Sequence, residues 1–548
     1  MASLNTGLNT ALSGLSASQT ALGVTAHNIS NAATAGYSRQ MVDLQSVNVN
    51  TGKYQWEPVV PFVGNGVNSN KITQARDGFL DVRYRTSNAQ YSDYEQRQND
   101  LGQVEDIFNE VSTSGNDVLQ GLSGQLNTLV NDIGSYQSSP ASDSLPVTIK
   151  TDASNLVTKI KTAYSSLTTF ESQEQSALNV VVSGDTQSGG INGILKNISA
   201  LNTQIVGMEV SGQPANDLRD QRNDLLDQLS GYLDISATEQ PDGSVTVQMD
   251  SDAANHTGAM LVDGSNVVHT LKVATDGPAD ASGFPATAVT WDASDPNNQS
   301  TTYATNTGTG WNGNTVSVGG GSVNGYLAIL NGDGSGTGSY GDVGVHYLKE
   351  HLNDFAQSFA DIMNSVSASS GNGAQLLTYG SGTPPTPTYP DTTGWTNTTA
   401  PAAYVSTDAA STISLSNAWN GDDTLFGGNY TGTSVGTYAQ AFLNALGGAQ
   451  VSAYDTSAHK TLYTDGTLTS YAATFSNKIA NVINDDTTMA SNYKIQTTDL
   501  DTQRQSVSSV SIDEETVNLM KFQQMYGASA RVITTINDMM GSLLSMAQ

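Results

Sequence analysis

Two apolar stripes, one at each end of the chain, set the strongest limit on how it folds. Met1, Leu4, Leu8, Ala11, Leu15, Ser18, Leu22, Thr25 and Ile29 recur at alternating spacings of three and four, the a/d seam of a heptad. Leu519, Phe522, Tyr526, Ser529, Ile533, Ile536, Met540 and Leu543 keep the same alternation near the other end, and Met525, Val532, Met539 and Met546 form a second row seven apart. Both segments are therefore expected to be long helices, about 43 Å for 1–29 and about 50 Å for 513–546 at 1.5 Å per residue. Laid open, either stripe is an apolar surface of several hundred Å², the size that marks an interaction face. Gly7, Gly14 and Gly23 each cost about 1 kcal/mol inside a helix, while each buried Leu returns roughly 1.5–3 kcal/mol. The ends are expected to be loose in a free monomer and to set when they pair with each other and with other copies.

Charge distribution supports that reading. The first thirty-eight residues contain no Asp, Glu, Lys or Arg; an unpaired charge buried in an assembly costs several kcal/mol. Across the chain 51 acids against 21 bases leave a formal charge of −30, which disfavours nucleic acid and anionic membranes as partners. No base precedes Arg39 to begin a signal peptide, and Asn5, Asn9, Ser13, Gln19 and Asn28 break up any membrane span. Export, if it occurs, is expected by a route that removes nothing. With no cysteine, disulfides and thiolate chemistry are excluded.

Between the stripes the period changes in a nested order, and a length of 548 residues calls for several domains. The expected fold class is multidomain α + β, with coiled-coil-like N- and C-terminal helices paired together, an inner helical domain and outward β-rich domains. Residues 1–40 form the N-terminal assembly helix and turn, and 41–233 an inner, mainly helical domain with an extended segment at 41–86. A β-rich outward domain covers 234–341, where "DISATEQPDGSVTVQM" sets a period near two. A helix follows at 342–369, its seam Leu348, Leu352, Phe355, Phe359, Ile362 and Val366. Residues 370–437 are a Gly/Thr-rich β or loop module, 438–509 return to helix, and 510–548 are the C-terminal assembly helix.

Motifs for chemistry fail on spacing. "HYLKEH" (346–351) places His346 and His351 five apart, off a shared helix face, so a solvated helix start is expected rather than zinc ligands. "NGDGSGTGSYGD" (331–342) imitates a calcium loop, but with Asn at its first position and Asp at its last. Gly308–Gly313 leads into a strand-like run and Gly336–Gly341 lies in a long loop, neither in a βαβ unit. No catalytic residues, cofactor or metal site is expected, and no enzyme.

"NISNAATAGYSRQ" (28–40) resembles the Asn-Ile-Ser-Asn-x-x-Thr-x-Gly-Tyr-Ser-Arg-Gln signature of the hook-associated junction members of the bacterial flagellar rod/hook axial family. The matching residues are Asn28, Ile29, Ser30, Asn31, Thr34, Gly36, Tyr37, Ser38, Arg39 and Gln40. His27 stands where Asn is usual and Ala35 where Pro is common; Gly36 still supplies the permissive backbone. "SVSSVSIDEETVNLMKFQQMYGASARVITTINDMM" (506–540) is similar to the family's C-terminal segment, and "RDGFLDVRYR" (76–85) to its entry into a long helix. The resemblance implies a structural, self-assembling component of the flagellum at the junction of hook and filament. It further implies export unfolded through the type III apparatus, a cytoplasmic chaperone at the C-terminal helix, and an extracellular layer of copies between hook protein and hook-associated protein 3. Alternatives are a hook or rod axial protein, or a surface adhesin on an axial scaffold with 234–435 as its active part.

The assembly interface is expected to consist of Leu4, Leu8, Leu15, Leu22, Ile29, Leu519, Phe522, Tyr526, Ile533, Ile536, Met540 and Leu543, with Asn28, Asn31, Thr34, Gly36, Tyr37 and Arg39 as the family motif.

Overall fold

The computed structural model describes residues 2–47, 66–108, 121–184, 189–249, 260–267, 269–277, 284–291, 316, 318–334, 342–369, 375–380, 408–423, 425–426, 433–448 and 467–546. The two glycine motifs at 308–313 and 336–341, the centre of the calcium-like loop and most of 370–437 lie outside the described residues.

The chain runs α1 (Ala2–Asn31), β1 (Gln40–Ser46), β2 (Val67–Gln74), α2 (Gly78–Phe108), α3 (Leu122–Ser138), α4 (Leu145–Ser183), α5 (Ile191–Val210) and α6 (Asn216–Tyr232). Short strands follow: β3 (Ile235–Glu239), β4 (Val245–Met249), β5 (Met260–Asp263), β6 (Asn266–Val267), β7 (Leu271–Ala274) and β8 (Ala288–Trp291). Next come α7 (Ser322–Asn331), α8 (Val345–Ser369), β9 (Leu377–Thr378), α9 (Ala409–Thr412), β10 (Ser414–Leu415) and α10 (Asn417–Gly421). The chain closes with α11 (Thr433–Gly448), α12 (Leu468–Ser508) and α13 (Ile512–Met546). The architecture is a multidomain, predominantly helical α + β protein with long helices at both ends.

Two compact units divide the chain in a nested way. The first comprises Met1–Asn88, Gly193–His269 and Lys494–Gln548; the second comprises Ala89–Asn192 and Thr270–Tyr493.

In the first unit, β1 and β2 form an antiparallel pair from Gln40↔Gln74 to Ser46↔Val67, with an irregularity between Asp43 and Leu44. β3, β4, β5 and β6 make a four-stranded antiparallel meander. Val245, Val247 and Met249 alternate inward, the period-two signature of a half-buried strand. Asn202 of α5 stitches the helix to this sheet, donating to Val245 O at 2.9 Å and Gly264 O at 2.6 Å and accepting from Val245 N at 3.1 Å. Buried Arg222 donates from Nη1 to the same Asn202 side chain at 3.0 Å and to Gly243 O at 2.7 Å, which partners one end of its guanidinium away from water.

The second unit holds the large apolar core. Leu126, Leu129 and Ile133 of α3, Leu156, Ile160 and Leu167 of α4, and the whole α8 seam from Leu348 to Val366 are buried in one cluster with Phe442, Tyr471 and Phe475. α4 runs unbroken for 39 residues, with a Pro in its first turn, where the missing N–H costs nothing. Trp419 is fully buried, and Ser416 caps its short helix by accepting from Trp419 N at 3.1 Å.

Three expectations need correction. The extended segment set at 41–86 ends early: α2 begins at Gly78, because Asp77 Oδ1 accepts from Phe79 N at 2.9 Å and caps the helix. The stretch 234–341 is not all β, since α7 lies within it. "VNGYLAIL" buries Val323, Leu327, Ala328, Ile329 and Leu330, an all-round apolar pattern that periodicity cannot separate from a buried strand. His346 and His351 are not solvated; both are buried.

Candidate assembly face and motif corner

α1 and α13 lie against each other inside one chain. A Cβ added at Gly7 would sit 3.4 Å from Ile536 Cδ1, one at Gly14 would sit 3.0 Å from Ser529 Oγ, and the Asn28 amide lies 3.3 Å from Glu515 Oε2. Every step forward along α1 is matched by an equal step back along α13, so the helices run antiparallel in constant register. Gly14 is the point of close approach; a side chain there would force Ser529 aside.

The row of α1 that is most deeply covered is not the leucine row. Ala11, Ala17, Ser18, Ala21, Thr25 and Asn28 are buried, whereas Leu8, Leu15, Leu22 and Ile29 are half-buried and Leu12 is 46% exposed. The side chain of Leu4 lies outside the described residues. On α13, Ile536 is buried and Leu519, Phe522 and Ile533 are half-buried, while Tyr526, Met540 and Leu543 are exposed. The second row is open throughout: Met525, Val532, Met539 and Met546 are all exposed, joined by Val517, Met520 and Leu544.

The family motif builds the corner where α1 turns into β1. Asn31 O and Oδ1 accept from Thr34 N at 2.9 Å and Thr34 Oγ1 at 3.3 Å, and Gly36 takes φ +74°, a region that favours glycine. The chain then doubles back so that Asn28 serves both ends of the turn. Its Oδ1 accepts from Tyr37 OH at 2.8 Å and Gln40 N at 3.0 Å, and its Nδ2 donates to Gln40 O at 2.9 Å. Burial, then the carboxylates of Asp217, Asp220 and Glu515, push the Tyr37 hydroxyl pKa upward, so it stays a proton donor to Asn28.

Ion pairs fasten this corner to distant parts of the unit. Arg39 Nε donates to Glu515 Oε1 at 2.9 Å and its Nη1 to Glu514 Oε2 at 3.0 Å, while Arg39 N reaches Ser508 O. Ser38 N donates to Asp220 Oδ2 at 3.0 Å and Gln40 Nε2 to Asp217 Oδ1 at 2.8 Å. Beside it runs an alternating chain of charges, Asp220–Arg76–Asp81–Arg504–Asp227–Arg85, with contacts of 2.6–3.5 Å. Arg504 also lies 4.2 Å over the Tyr84 ring. Sequence reasoning missed Asp217, Asp220, Arg76, Arg504 and Asp227. Their partners are far away along the chain, and a charged residue on a helix carries no local sign of which distant group it meets.

The sites that imitate chemistry have structural roles. His351 Nδ1 lies 2.9 Å from Tyr347 O, the ring packs among Tyr347, Tyr471 and Phe475, and burial pushes its pKa down to about 4. Asp342, the last position of the calcium-like loop, is paired with Arg97. Among the described residues no group of three His, Asp or Glu could hold a metal ion, and no helix is long and apolar enough to cross a membrane.

The two terminal segments that build this helix pair and corner both match models of bacterial flagellar axial proteins. Residues 8–37 match the family model described as flagella basal body rod protein, and 502–546 match the flagellar basal body rod FlgEFG protein C-terminal model. Residues 101–375, half of the chain, match the flagellar hook-associated protein FlgK helical domain, and the chain belongs to that hook-associated family. Flagellar hook-associated protein 1 of Bacillus subtilis is 26% identical over 565 residues, spanning 100% of this chain and 99% of that one. The protein of the same name in Salmonella typhimurium is 30% identical over 260 residues, 47% of this chain and 42% of that one. The solved flagellar hook junction protein FlgK from Burkholderia pseudomallei aligns with a TM-score of 0.40 at 18% identity, over 55% of this chain and 47% of that one. The chain is a structural component of the flagellum and not an enzyme.

Proposed function

We propose that the chain assembles with copies of itself as an extracellular layer at the junction of hook and filament, using the faces of α1 and α13 that a single chain leaves uncovered. The observation that carries this is the open row Met525, Val532, Met539 and Met546, four large apolar side chains 37–83% exposed at seven-residue spacing. A neighbouring helix that covers such a row recovers roughly 1.5–3 kcal/mol per side chain. Leu8, Leu15 and Leu22 are half-buried along α1, so the coiled-coil-like pairing begun within one chain has apolar surface left for a second.

The motif residues Asn28, Asn31, Thr34, Gly36, Tyr37 and Arg39 then serve assembly indirectly, by fixing the angle between the helix pair and the β1–β2 ribbon within the first unit. Hook protein and hook-associated protein 3 are the axial neighbours this reading assigns. A cytoplasmic chaperone has reason to cover the same α13 row before export, because the row is a liability while alone.

The test is the triple substitution Met525→Gln, Val532→Gln and Met539→Gln. The expected result is unchanged circular dichroism and melting of the purified chain with loss of incorporation into flagella. Normal incorporation of the triple variant overturns the proposal.

A further inference from the structure

α1 and α13 fill their apolar rows with different side chains. α1 relies on Leu8, Leu12, Leu15 and Leu22, whereas α13 carries five of the chain's twelve methionines, Met520, Met525, Met539, Met540 and Met546. All five are exposed, from 37% at Met525 to 83% at Met546, while Met249 and Met363 are buried elsewhere. Leucine would present a similar apolar surface. Methionine adds a flexible thioether that fits irregular partners, and with it a sulfur open to oxidation. The chain has no cysteine, so no thiolate competes for an oxidant.

We propose that the methionine face of α13 is a reversible oxidation site, where a peroxide turns thioethers into sulfoxides and so blocks assembly of the chain. In each event Sδ takes one oxygen atom and is oxidised, and hydrogen peroxide is reduced to water. In the reverse a sulfoxide reductase removes that oxygen as water, two of its thiols being oxidised to a disulfide.

The effect on assembly rests on the reading of Met525, Val532, Met539 and Met546 as the face that a second copy covers. A sulfoxide is a strong hydrogen-bond acceptor, and burying one without a donor is unfavourable. Donors are scarce on a facing helix, because its backbone N–H groups are bonded within it, and the half-buried row Leu8, Leu15 and Leu22 carries none. The fold of the single chain is spared. Ile536 beside Gly7, and Glu515 with Asn28 and Arg39, hold α13 in place without sulfur. The site is therefore open before assembly and shielded after it.

For the test the full chain is treated with hydrogen peroxide, mapped by mass spectrometry and added to isolated flagellar hooks that lack it. Gains of about 16 Da should appear on the α13 methionines about tenfold faster or more than on Met249 and Met363. Circular dichroism should not change. Incorporation should fall by about tenfold or more and return after treatment with methionine sulfoxide reductases. A chain carrying Met520→Leu, Met525→Leu, Met539→Leu, Met540→Leu and Met546→Leu keeps exposed Met41 and Met489 as targets. Compared with its own untreated sample, it should lose no incorporation on oxidation. Oxidation of α13 no faster than of Met249 and Met363, full incorporation of the oxidised chain, or an equal relative loss in the leucine chain overturns the proposal. The triple glutamine variant separates this proposal from the assembly reading beneath it. If that variant fails to incorporate while the oxidised chain succeeds, the oxidation site alone falls; if both incorporate, both readings fall.

Discussion

Asn28 and Glu515 are 487 residues apart in the chain, yet the Asn28 amide lies 3.3 Å from a Glu515 carboxylate oxygen. Arg39 Nε holds the other oxygen at 2.9 Å. One contact thus joins the end of the first helix, the turn that follows it and the start of the last helix. The three residues should differ in cost. Asn28→Ala leaves the Tyr37 hydroxyl and Gln40 N–H without their acceptor, a loss of about 2 kcal/mol. Arg39→Ala strips the cation from a Glu515 side chain only 3% exposed, which should cost about 3 kcal/mol or more. Glu514→Ala removes an arm that is 63% exposed, worth under about 1 kcal/mol. Calorimetry of the full chain reads this order directly, and equal losses from Glu514 and Arg39 would refute it.

Glycines on and beside the same helix should respond with opposite sign. Gly7→Ala places its Cβ in ordinary contact, 3.4 Å from Ile536, and gains helix propensity, so it should stabilise by about 0.5–1 kcal/mol. Gly36→Ala meets no close neighbour but must hold φ +74°, a strain of about 1–2 kcal/mol. Urea midpoints for the two variants should move in opposite directions.

His351 sets an acid limit on the second unit. Its folded-state pKa is pushed down to about 4 by burial, while an unfolded histidine titrates near 6.5. As pH falls through that window the unfolded chain binds a proton that the folded chain refuses, and stability is lost, by up to about 3 kcal/mol. The tryptophan-detected midpoint of His351→Phe should therefore gain on the parent chain as pH drops from 6.5 to 4. A constant difference across that range would show that the histidine does not titrate there.

What could be read from the sequence, and what could not, follows from the range of each interaction. The terminal helices, the α8 seam and the Gly36 turn are local patterns, and period or backbone permissiveness reveals them. The row of α1 that meets α13 was hidden, because heptad reading ranks positions by hydrophobicity. Close antiparallel approach instead favours small residues such as Gly14, Ser18 and Ala21, leaving the leucines partly outside. The start of α2 reads two ways, since the residue pattern leaves 76–86 extended while "RDGFLDVRYR" resembles an entry into a long helix; the Asp77 cap sets the start at Gly78. The corner's partners were beyond reach, as Ser38 meets Asp220 across 182 residues and Asp81 meets Arg504 across 423.

The account as a whole turns on whether copies share the open row of α13. The chain has no cysteine, so single cysteines at Met525, Val532 or Met539, with exposed Gln524 as a control site, give clean reporters. Maleimide labelling rates should be fast at all three in the isolated chain and should fall at least tenfold in assembled flagella. Equal labelling of those three positions before and after assembly would contradict the account.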